Sequence, residues 1–565
     1  MRRGLKNQFR NGIQRLPIAT ALESGSVLSE SRSLLYPSSN PAEFALQAGK
    51  VQNLRMAAGY LDKRALKAGD VFSFWAHVPR PTAGRGFAPG RELREGCVIP
   101  SVGGGLCQLS NALYDAVLKA GFEVIERHAH SRKLPGSMAE EGRDATVFWN
   151  YVDLRFGATA DCVLEATLTQ RELIVRFRSD VERKVQLAPK DCGSFKPDDS
   201  KQTPAAESCE TCGVISCFRN PSAASLPQRE VKAWLVDAWT PEFDAYAQRE
   251  RKADDVLLLP LNSRKWKLGP YRWNTGGFAQ IKESPWFVLK RSLQSRRLAS
   301  QGARRQTALL QMDAELAAQY AMRIPYTALH VVVSQNLLPH LWQTGALAGR
   351  TFDVLMTRLP MHDLQTQLDL AATRWPDSKT LADFRVNPVL LAAEKEALEH
   401  ARHWITPHTA IAALARSRAI SVEWHLPKTD AQKPGSRIVF PASTIGRKGA
   451  FELREAAREL NLKLTLLGSD LEGDGFWKDL DVSKADDHWL ADARAVVLPA
   501  WVEHQPRRLL QAVAAGIPVI ASNACGLAAM PGVKTIPDGD VEALKVALKG
   551  LESIFRDVGH GVRPD

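Results

Sequence analysis

The sequence of 565 residues contains no apolar run long enough to cross a membrane, and its longest apolar runs have the length of buried strands. The amino-terminal residues 1–22 are basic but lack the apolar core of a secretory signal peptide. These two absences predict a cytoplasmic protein. Residues 1–16 could form a weakly amphipathic helix, which leaves contact with a membrane surface as an alternative.

Two common nucleotide-binding motifs are also missing. Neither GxGxxG nor a Walker loop occurs, so dinucleotide binding and P-loop phosphate binding have no support. The net charge is +12, and arginines cluster between residues 291 and 305, but without the interleaved aromatic residues that stack single-stranded nucleic acid. We therefore predict no nucleic-acid partner. The charge still permits an acidic partner, such as a nucleotide-sugar or a phospholipid surface.

The most distinctive motif that is present is VGGGLCQLS, at residues 102–110. Three consecutive glycines permit backbone conformations that other residues do not tolerate. Apolar residues then recur at helical spacing, at Leu106, Leu109, Leu113 and Val117. Cys107 is thereby placed at a predicted helix N-terminus, where free N–H groups and the helix dipole favour a thiolate. On placement alone, a nucleophile and a buried structural cysteine are equally good interpretations.

Further motifs surround this one. They are GDVFSF at residues 69–74, GRGF at 84–87, ERHAHS at 126–131, GRDAT at 142–146 and YVDLRF at 151–156. In this order, over about residues 45–180, the set resembles the VanW family. Some members of that family look like cysteine-dependent L,D-transpeptidases acting on peptidoglycan. The resemblance implies an α+β domain that carries out a thiol acyl transfer. Peptidoglycan crosslinking takes place outside the cell, which conflicts with the predicted cytoplasmic location.

The resemblance implies Cys107 as the nucleophile and His130 or His128 as its base. The residues agree in kind, because a cysteine with a nearby histidine is the minimal activated-thiol arrangement. The alternating HAH pattern would direct both imidazoles to the same side of a strand. We expect Asp144 or Asp153 to hold the imidazole as in a triad, and the N–H groups of the glycine turn to bind an oxyanion.

Four of the eight cysteines crowd a short polar region, at Cys192, Cys209, Cys212 and Cys217. In a reducing compartment such a cluster predicts metal ligation rather than disulfides. Four thiolates hold either zinc or an iron–sulfur cluster. The spacing has one C-x2-C step and one distant ligand, which leans slightly toward [4Fe–4S], with zinc as the alternative.

The second half of the sequence alternates between short apolar runs and helical stretches. The runs typical of buried strands are 232–236, 256–259, 330–333, 351–356, 437–441, 464–468, 495–499 and 517–522. Helices are predicted within 282–323, over 450–460 and near 506–515. This alternation favours α/β domains with parallel sheets, whose candidate groups lie at the carboxyl ends of the strands.

Two motifs in this half carry a second resemblance. RKG at residues 447–449 and PAWVEHQPRRLLQAVAAGIPVIAS at 499–522 look like the donor half of a B-type, two-Rossmann-domain glycosyltransferase of group 1, a likeness covering about residues 230–555. The resemblance implies that Arg447 and Lys448 hold the donor diphosphate and that Glu503 lies near the transferred sugar. Gln511 stands where the family has a glutamate that contacts the donor ribose, which puts donor binding in doubt.

The chain is too long for one hydrophobic core, and we predict six segments. They are a basic segment (1–40), the VanW-like domain (41–185), the four-cysteine module (186–228), an acceptor-side α/β domain (229–412), a donor-side α/β domain (413–556) and a tail (557–565). The predicted function is sugar transfer from a nucleotide-diphosphate sugar to an envelope glycan or small-molecule acceptor, with a thiol step at the VanW-like domain. A group 1 enzyme of this kind needs no metal for the transfer. His408 could touch the acceptor or be structural.

The alternative function is a non-catalytic protein that binds a nucleotide-sugar or senses redox state. Gln511 favours this alternative, whereas Arg447, Lys448 and Glu503 favour the enzyme. The sequence does not specify the donor sugar, the acceptor or the oligomeric state.

Overall fold

The structure is a computed structural model, and the residues it describes are 13, 15–19, 25–37, 43–94, 97–130, 142–180, 231–262, 271–297, 303–382, 385–485, 488–528 and 530–551. The chain divides into two compact units. The first consists of residues 1–231 with 324–330 and 344–351, and the second consists of the remainder. The four cysteines of the predicted metal module, Cys192, Cys209, Cys212 and Cys217, lie outside the described residues, as does most of segment 1–16.

The first unit is an α+β structure, as predicted. Its strands are β1 (Ser26–Leu34), β2 (Arg64–Leu66), β3 (Val71–Ser73), β4 (Pro89–Arg94), β5 (Cys97–Val102), β6 (Glu123–Glu126), β7 (Arg155–Gly157), β8 (Cys162–Leu168) and β9 (Glu172–Ser179). Its helices are α1 (Phe44–Leu61), α2 (Phe74–His77) and α3 (Cys107–Ala120). An antiparallel sheet of order β1-β9-β8-β2 forms the centre. Helix α1 contacts β8, and α3 contacts β1 and β9, so the core lies between these helices and the sheet.

Helix α3 forms where its sequence pattern predicted it. Leu109, Leu113 and Val117 are fully buried, which places the apolar face against the core. The helix ends at Gly121, whose φ of +68° gives the left-handed cap that a glycine adopts without strain.

The second unit begins with a doubly wound parallel sheet. Its strands are β10 (Val231–Leu235), β11 (Val256–Leu259), β12 (Gln280–Glu283), β13 (Ala328–Ser334), β14 (Thr351–Leu355), β15 (His403–Thr406) and β16 (Ala419–Ser421). The helices are α4 (Pro241–Glu250), α5 (Pro285–Arg297), α6 (Ala303–Ala321), α7 (Leu338–Gln343), α8 (Met361–Arg374), α9 (Pro388–His400) and α10 (Thr409–Ala415). The sheet order β12-β11-β10-β13-β14-β15-β16 reverses direction between β10 and β13. Strand β16 belongs to this sheet, although the sequence placed the domain boundary before it, after residue 412.

A second parallel sheet completes the unit. Its strands are β17 (Arg437–Phe440), β18 (Lys463–Leu466), β19 (Asp481–Lys484), β20 (Ala493–Leu498), β21 (Val519–Ser522) and β22 (Val533–Ile536), and its helices are α11 (Ala450–Leu460), α12 (Arg507–Ala514) and α13 (Val541–Lys549). The order β19-β18-β17-β20-β21-β22 reverses between β17 and β20. All its pairings are parallel. Ligands of open α/β sheets bind outside the carboxyl ends of the strands at such a reversal.

The predicted secondary structure of this half is confirmed in kind. Each of the eight predicted apolar runs overlaps a strand, and the predicted helix 450–460 has the bounds of α11. Strands that are buried on both faces read as continuous apolar runs, which is why their positions were visible in the sequence. Among the helices described, none is both long and apolar enough to cross a membrane.

Candidate functional site

The loops that follow β17 and β20 meet at the carboxyl edge of the six-stranded sheet. The backbone N–H groups of Trp501 and Val502 donate to the carbonyl oxygen of Arg447, at 3.0 and 3.1 Å. Gly449 permits this approach, because a Cβ there would lie 2.0 Å from the carbonyl oxygen of Pro499. The close backbone contact therefore fixes the RKG loop beside the segment that carries Glu503.

Lys448 and Glu503 form an ion pair at this edge. The Lys448 Nζ atom lies 2.7 Å from Glu503 Oε2, and the two side chains are only 14% and 12% exposed. Lys448 Nζ also donates to the carbonyl oxygen of Val502, and the backbone N–H of Gln505 donates to Glu503 Oε1. The structure thus brings together two of the residues predicted to bind the donor, at the point where the strand order reverses.

Burial and charge oppose each other in this pair. Burial alone would raise the pKa of Glu503, but the charge and hydrogen bond of Lys448, with help from Arg447, hold it below its usual range. Burial lowers the pKa of Lys448, and the charge of Glu503 opposes that shift. Burial likewise lowers the pKa of Arg447. The edge therefore concentrates two cations and one carboxylate in a place with little water.

The other candidate site lies in the first unit, where Cys107 is the first residue of α3. The turn before it has φ of +87° at Gly103 and +90° at Gly105, a backbone conformation that favours glycine. A Cβ on Gly104 would lie 2.5 Å from the carbonyl oxygen of Gly90, so Gly103 and Gly105 are required for their backbone conformation and Gly104 for the close approach of two backbone segments. The predicted placement of Cys107 at a helix N-terminus is confirmed.

Cys107, His130 and Asp144 form a connected set. Nδ1 of His130 hydrogen-bonds to a carboxylate oxygen of Asp144, and the backbone N–H of His130 donates to the other oxygen. The imidazole also lies close enough to the Cys107 thiol to lower its pKa. Because Nδ1 is committed to Asp144, Nε2 is the nitrogen left for the thiol. Sγ of Cys107 further lies 3.5 Å from Thr146 Oγ1 and 3.8 Å from the carbonyl oxygen of Val147.

The electrostatics of this set favour charge separation. The hydrogen bonds to Asp144 and Cys107 raise the pKa of His130 to about 10. Burial alone would raise the pKa of the Cys107 thiol, but the hydrogen bond and charge of His130 lower it below its ordinary value. By contrast, burial raises the pKa of Cys162 to about 12. Of these two cysteines, Cys107 is thus the one whose surroundings favour the thiolate, whereas those of Cys162 disfavour it.

Comparisons with known proteins match both halves of the chain. Residues 49–178 match the model of VanW-like proteins, and residues 451–553 match that of group 1 glycosyl transferases. The chain carries a VanW domain and a group 1 glycosyltransferase domain. The recognition made from the motifs is thereby confirmed. The match to the second model begins just after the RKG loop, so Arg447 and Lys448 lie outside it.

Curated relatives match the VanW half. The chain is 31% identical over 159 residues to the vancomycin B-type resistance protein VanW of Enterococcus faecalis, covering 27% of this chain and 58% of the relative. It is 35% identical over 104 residues to the uncharacterized protein YoaR of Bacillus subtilis, covering 18% of this chain and 34% of the relative. The chain thus spans about a third to three fifths of the relatives it matches.

Solved structures resemble a larger part of the chain at low similarity. Sucrose-phosphate synthase from Thermosynechococcus elongatus gives a TM-score of 0.33 with 16% identity, covering 59% of this chain and 92% of its own. WaaG, a glycosyltransferase involved in lipopolysaccharide biosynthesis, gives a TM-score of 0.33 with 16% identity. The match covers 58% of this chain and 94% of the WaaG chain. TM-scores at this level do not bear on the activity of either domain.

Two residues that the sequence offered for the VanW domain lie elsewhere. His128 is not on a strand, since β6 ends at Glu126, and its Nε2 lies 3.3 Å from the carboxylate of that residue. The alternation argument for a shared side therefore fails, and only His130 reaches Cys107. Asp153 accepts hydrogen bonds from the Ser73 hydroxyl and a backbone N–H, so it supports the fold rather than the imidazole.

Fewer backbone N–H groups are available to hold an oxyanion in the VanW domain than the sequence predicted. The first N–H groups inside α3 already have acceptors: Gln108 donates to the carbonyl of Gly105, and Leu109 and Ser110 donate to that of Leu106. These three groups are committed to the turn. Within the glycine turn itself, the N–H of Gly103 donates to the carbonyl of Ala88 at 3.2 Å and that of Gly104 donates to the carbonyl of Ser101 at 2.8 Å. An oxyanion would therefore have to be held by the N–H groups of Gly105, Leu106 or Cys107.

Sequence reasoning did not identify Glu472, which organises the loop before the RKG motif. Its Oε1 accepts from the backbone N–H of Gly446 at 2.7 Å and from the hydroxyls of Ser378 and Thr380. Its Oε2 accepts from the backbone N–H of Lys379. One buried carboxylate thus fastens a loop that follows α8 to the start of the RKG loop. Nothing local in the sequence marks this role, because its partners are remote.

His408 and His504 line a small cavity next to the Lys448–Glu503 pair. Nε2 of His408 donates to the carbonyl oxygens of Glu503 and Ala524, at 3.0 and 3.2 Å, which supports the structural interpretation of this residue. Burial lowers the pKa of both imidazoles, so both are neutral. Nε2 of His504 and Nδ1 of His408 are buried without a hydrogen-bond partner among the described residues. His504 was not identified from the sequence, and its position next to Glu503 in the chain was the signal that could have identified it.

Gln511 lies half-buried on α12. No described contact joins its side chain to Lys448 or Glu503, so its role toward a donor stays a prediction. Among the described residues, no cluster of histidine, cysteine or acidic side chains is placed to hold a metal ion.

Proposed function

We propose that the second unit transfers a sugar from a nucleotide-diphosphate sugar to an envelope glycan or small-molecule acceptor. The observation that carries this proposal is the Lys448–Glu503 pair, held at 2.7 Å at the strand-order reversal of a parallel sheet. The match of residues 451–553 to group 1 glycosyl transferases supports the same reaction class.

Sugar transfer from a nucleotide-diphosphate donor is favoured by positive charge beside the leaving diphosphate. When the bond between the sugar and the diphosphate breaks, negative charge develops on the diphosphate, and Arg447 and Lys448 are the cations available to stabilise it. Their partial burial strengthens that interaction, because little water screens it. Glu503 would orient Lys448 and accept hydrogen bonds from the sugar.

The double variant Arg447→Ala with Lys448→Ala tests donor binding. Hydrogen bonds to charged groups are worth ~1.5–3 kcal/mol each, so the loss of two should weaken binding by ~100-fold or more. Calorimetry with a panel of UDP- and GDP-sugars measures this effect. Lys463→Ala, which removes an exposed lysine of the same sheet, is the matched control. Unchanged affinity in the double variant would reject the assignment of these residues.

The alternative is a protein that binds a nucleotide-sugar without transferring the sugar. Gln511 favours it, because an amide can bond a ribose hydroxyl but carries no charge. Measuring sugar transfer alongside binding separates the two functions. Binding without turnover across acceptors would favour the alternative, and turnover would exclude it.

We propose a second activity for the VanW domain, which is acyl transfer through Cys107. The arrangement of Cys107, His130 and Asp144 favours it, since the imidazole is oriented by a carboxylate and lowers the pKa of the thiol. The thiolate would attack an acyl carbonyl to form a thioester, and His130 would protonate the leaving amine. A second amine would then displace the thiol.

Mass spectrometry of the protein incubated with peptidoglycan stem peptides tests this activity. The expected result is an acyl adduct on Cys107 that is absent from Cys107→Ala and slowed in His130→Ala. Formation of the same adduct in Cys107→Ala would place the reaction elsewhere and contradict the proposal.

We further propose that Cys192, Cys209, Cys212 and Cys217 bind one metal centre. Their number and spacing support it, with [4Fe–4S] favoured and zinc as the alternative. Protein purified without oxygen should be brown if the centre is [4Fe–4S], and colourless with one equivalent of zinc otherwise. Metal analysis that finds neither element would exclude both forms.

A further inference from the structure

We infer that the exposed face of α5 binds the surface of an anionic phospholipid bilayer. Three large apolar side chains lie on this helix in water: Trp286 is 82% exposed, Leu289 is 52% exposed and Leu293 is 51% exposed. Their spacing of three and four residues places them on one face of the helix. We call these three residues the α5 stripe. A contiguous apolar face of this kind marks an interaction surface rather than scattered surface residues.

The other face of α5 is fixed to the protein, so the stripe cannot turn inward. Phe287 is buried, at 3% exposure. The guanidinium of Arg291 donates to the buried carboxylate of Asp237 at 2.7 Å and to the hydroxyl of Tyr271 at 3.3 Å. Asn336 donates to that same carboxylate. These contacts hold the helix in one rotational setting, in which the α5 stripe faces solvent.

The charge around the stripe identifies the partner. Residues 285–312 contain six basic residues and no acidic residue, namely Lys290, Arg291, Arg296, Arg297, Arg304 and Arg305. Lys290 and Arg291 are paired with carboxylates of the fold. Arg296 and Arg304 are exposed. Glu315 is the acidic side chain that pairs with Lys290, at 2.6 Å, and it leaves Arg296 and Arg304 without a carboxylate partner among the described contacts. An apolar stripe with a tryptophan and leucines beside two exposed arginines matches the interface of an anionic bilayer, where the rings enter the headgroup layer and the arginines meet lipid phosphates.

The same composition argues against a second copy of this chain as the occupant. A second copy would bring its own uncompensated arginines to the contact, and like charges would repel. Bilayer binding needs no nucleotide-sugar, so this inference stands apart from the transferase proposal.

Vesicle co-sedimentation of the full chain tests the inference. The probes are vesicles of phosphatidylcholine with phosphatidylglycerol, compared with vesicles of phosphatidylcholine alone. Wild-type protein should sediment with the anionic vesicles and much less with the neutral ones. The variant W286S/L289S/L293S should bind the anionic vesicles at least about tenfold more weakly. The affinity of the variant R296E/R304E for the anionic vesicles should fall about fivefold or more for each arginine replaced.

The matched control is L370S/V389S, which removes exposed apolar residues from α8 and α9 and should bind the vesicles as wild type does. Circular dichroism and calorimetry with nucleotide-sugars check each variant, and both should be unchanged. If the triple variant does not fold, brominated lipids provide a second measurement. They should quench wild-type tryptophan fluorescence more than that of W286F.

Three results would overturn the inference. The first is the absence of wild-type binding to anionic vesicles. The second is equal vesicle binding by wild type and the triple variant, or equal quenching of wild type and W286F. The third is a triple variant that changes only the molar mass of the protein in solution, because α5 would then be a subunit interface.

Discussion

Replacing Lys448 with methionine should destabilise the second unit more than replacing Lys448 and Glu503 together. The two charged atoms lie 2.7 Å apart, and the side chains are 14% and 12% exposed. Removing Lys448 leaves a carboxylate with little water and without its hydrogen-bonded counter-ion, which costs about 3–5 kcal/mol for a buried pair. We expect the lower end of that range, because Gln505 still donates a hydrogen bond to Glu503.

The double variant K448M/E503Q removes both charges of the pair and leaves Arg447 as the remaining charge, so its stability should be closer to that of wild type than the stability of K448M is. Urea denaturation of wild type, both single variants and the double variant forms a mutant cycle that isolates the coupling between the residues. The control is Lys463→Met, which replaces an exposed residue at the start of β18 and should change the free energy of unfolding by less than about 0.5 kcal/mol.

The pH dependence has a defined sign. The folded-state pKa of Glu503 is held below its unfolded value, so its ionised form stabilises the fold above the unfolded value of about 4.3. That contribution is lost as the pH falls through the lower folded-state pKa. A single variant K448M that matches the double variant at neutral pH would refute the idea that the pair acts as one buried unit.

Three further outcomes are expected. Gln511→Glu should change the affinity for nucleotide-sugars in calorimetry, and identical affinities across a donor panel would mean that this side chain does not touch the donor. His130→Ala should raise the pH midpoint for iodoacetamide labelling of Cys107, because the thiolate loses its cationic partner, whereas His128→Ala should leave the midpoint unchanged; equal midpoints in both variants would contradict the assignment. Gly104→Ala should destabilise the VanW domain by about 1–3 kcal/mol in urea, because the new Cβ would lie 2.5 Å from a carbonyl oxygen. Its control is Gly59→Ala in α1, where the added Cβ meets nothing within 4 Å and no loss is expected.

Local patterns predicted eight strands of the second half and the helices α3 and α11. Buried parallel strands are continuous apolar runs, and an amphipathic helix repeats its apolar residues every three to four positions. Each pattern involves residues that are close together in the sequence, so it can be recognised without knowing how the rest of the chain folds. Helix α11 and the N-terminus of α3 at Cys107 were therefore placed from sequence alone.

Partners that are distant along the chain were less accessible. The sequence offered two histidines and two aspartates for the imidazole of the VanW domain, and only contacts between segments selected His130 and Asp144. Periodicity misled at His128, because the strand stops at Glu126 before the pattern begins. The sequence could not identify the role of Glu472, because the groups that donate hydrogen bonds to it lie more than twenty residues away along the chain.

The sequence by itself determined the two domain types, eight strands of the second half and the position of α11, and it singled out Cys107 and the RKG cations as candidate functional residues. These depend on local spacing and on motifs that are contiguous along the chain. The tertiary structure decided which histidine meets Cys107, that Glu503 pairs with Lys448, and that the α5 stripe faces water. Each of those outcomes depends on how separate segments pack, because burial and a short distance between charged atoms exist only once the segments are brought together.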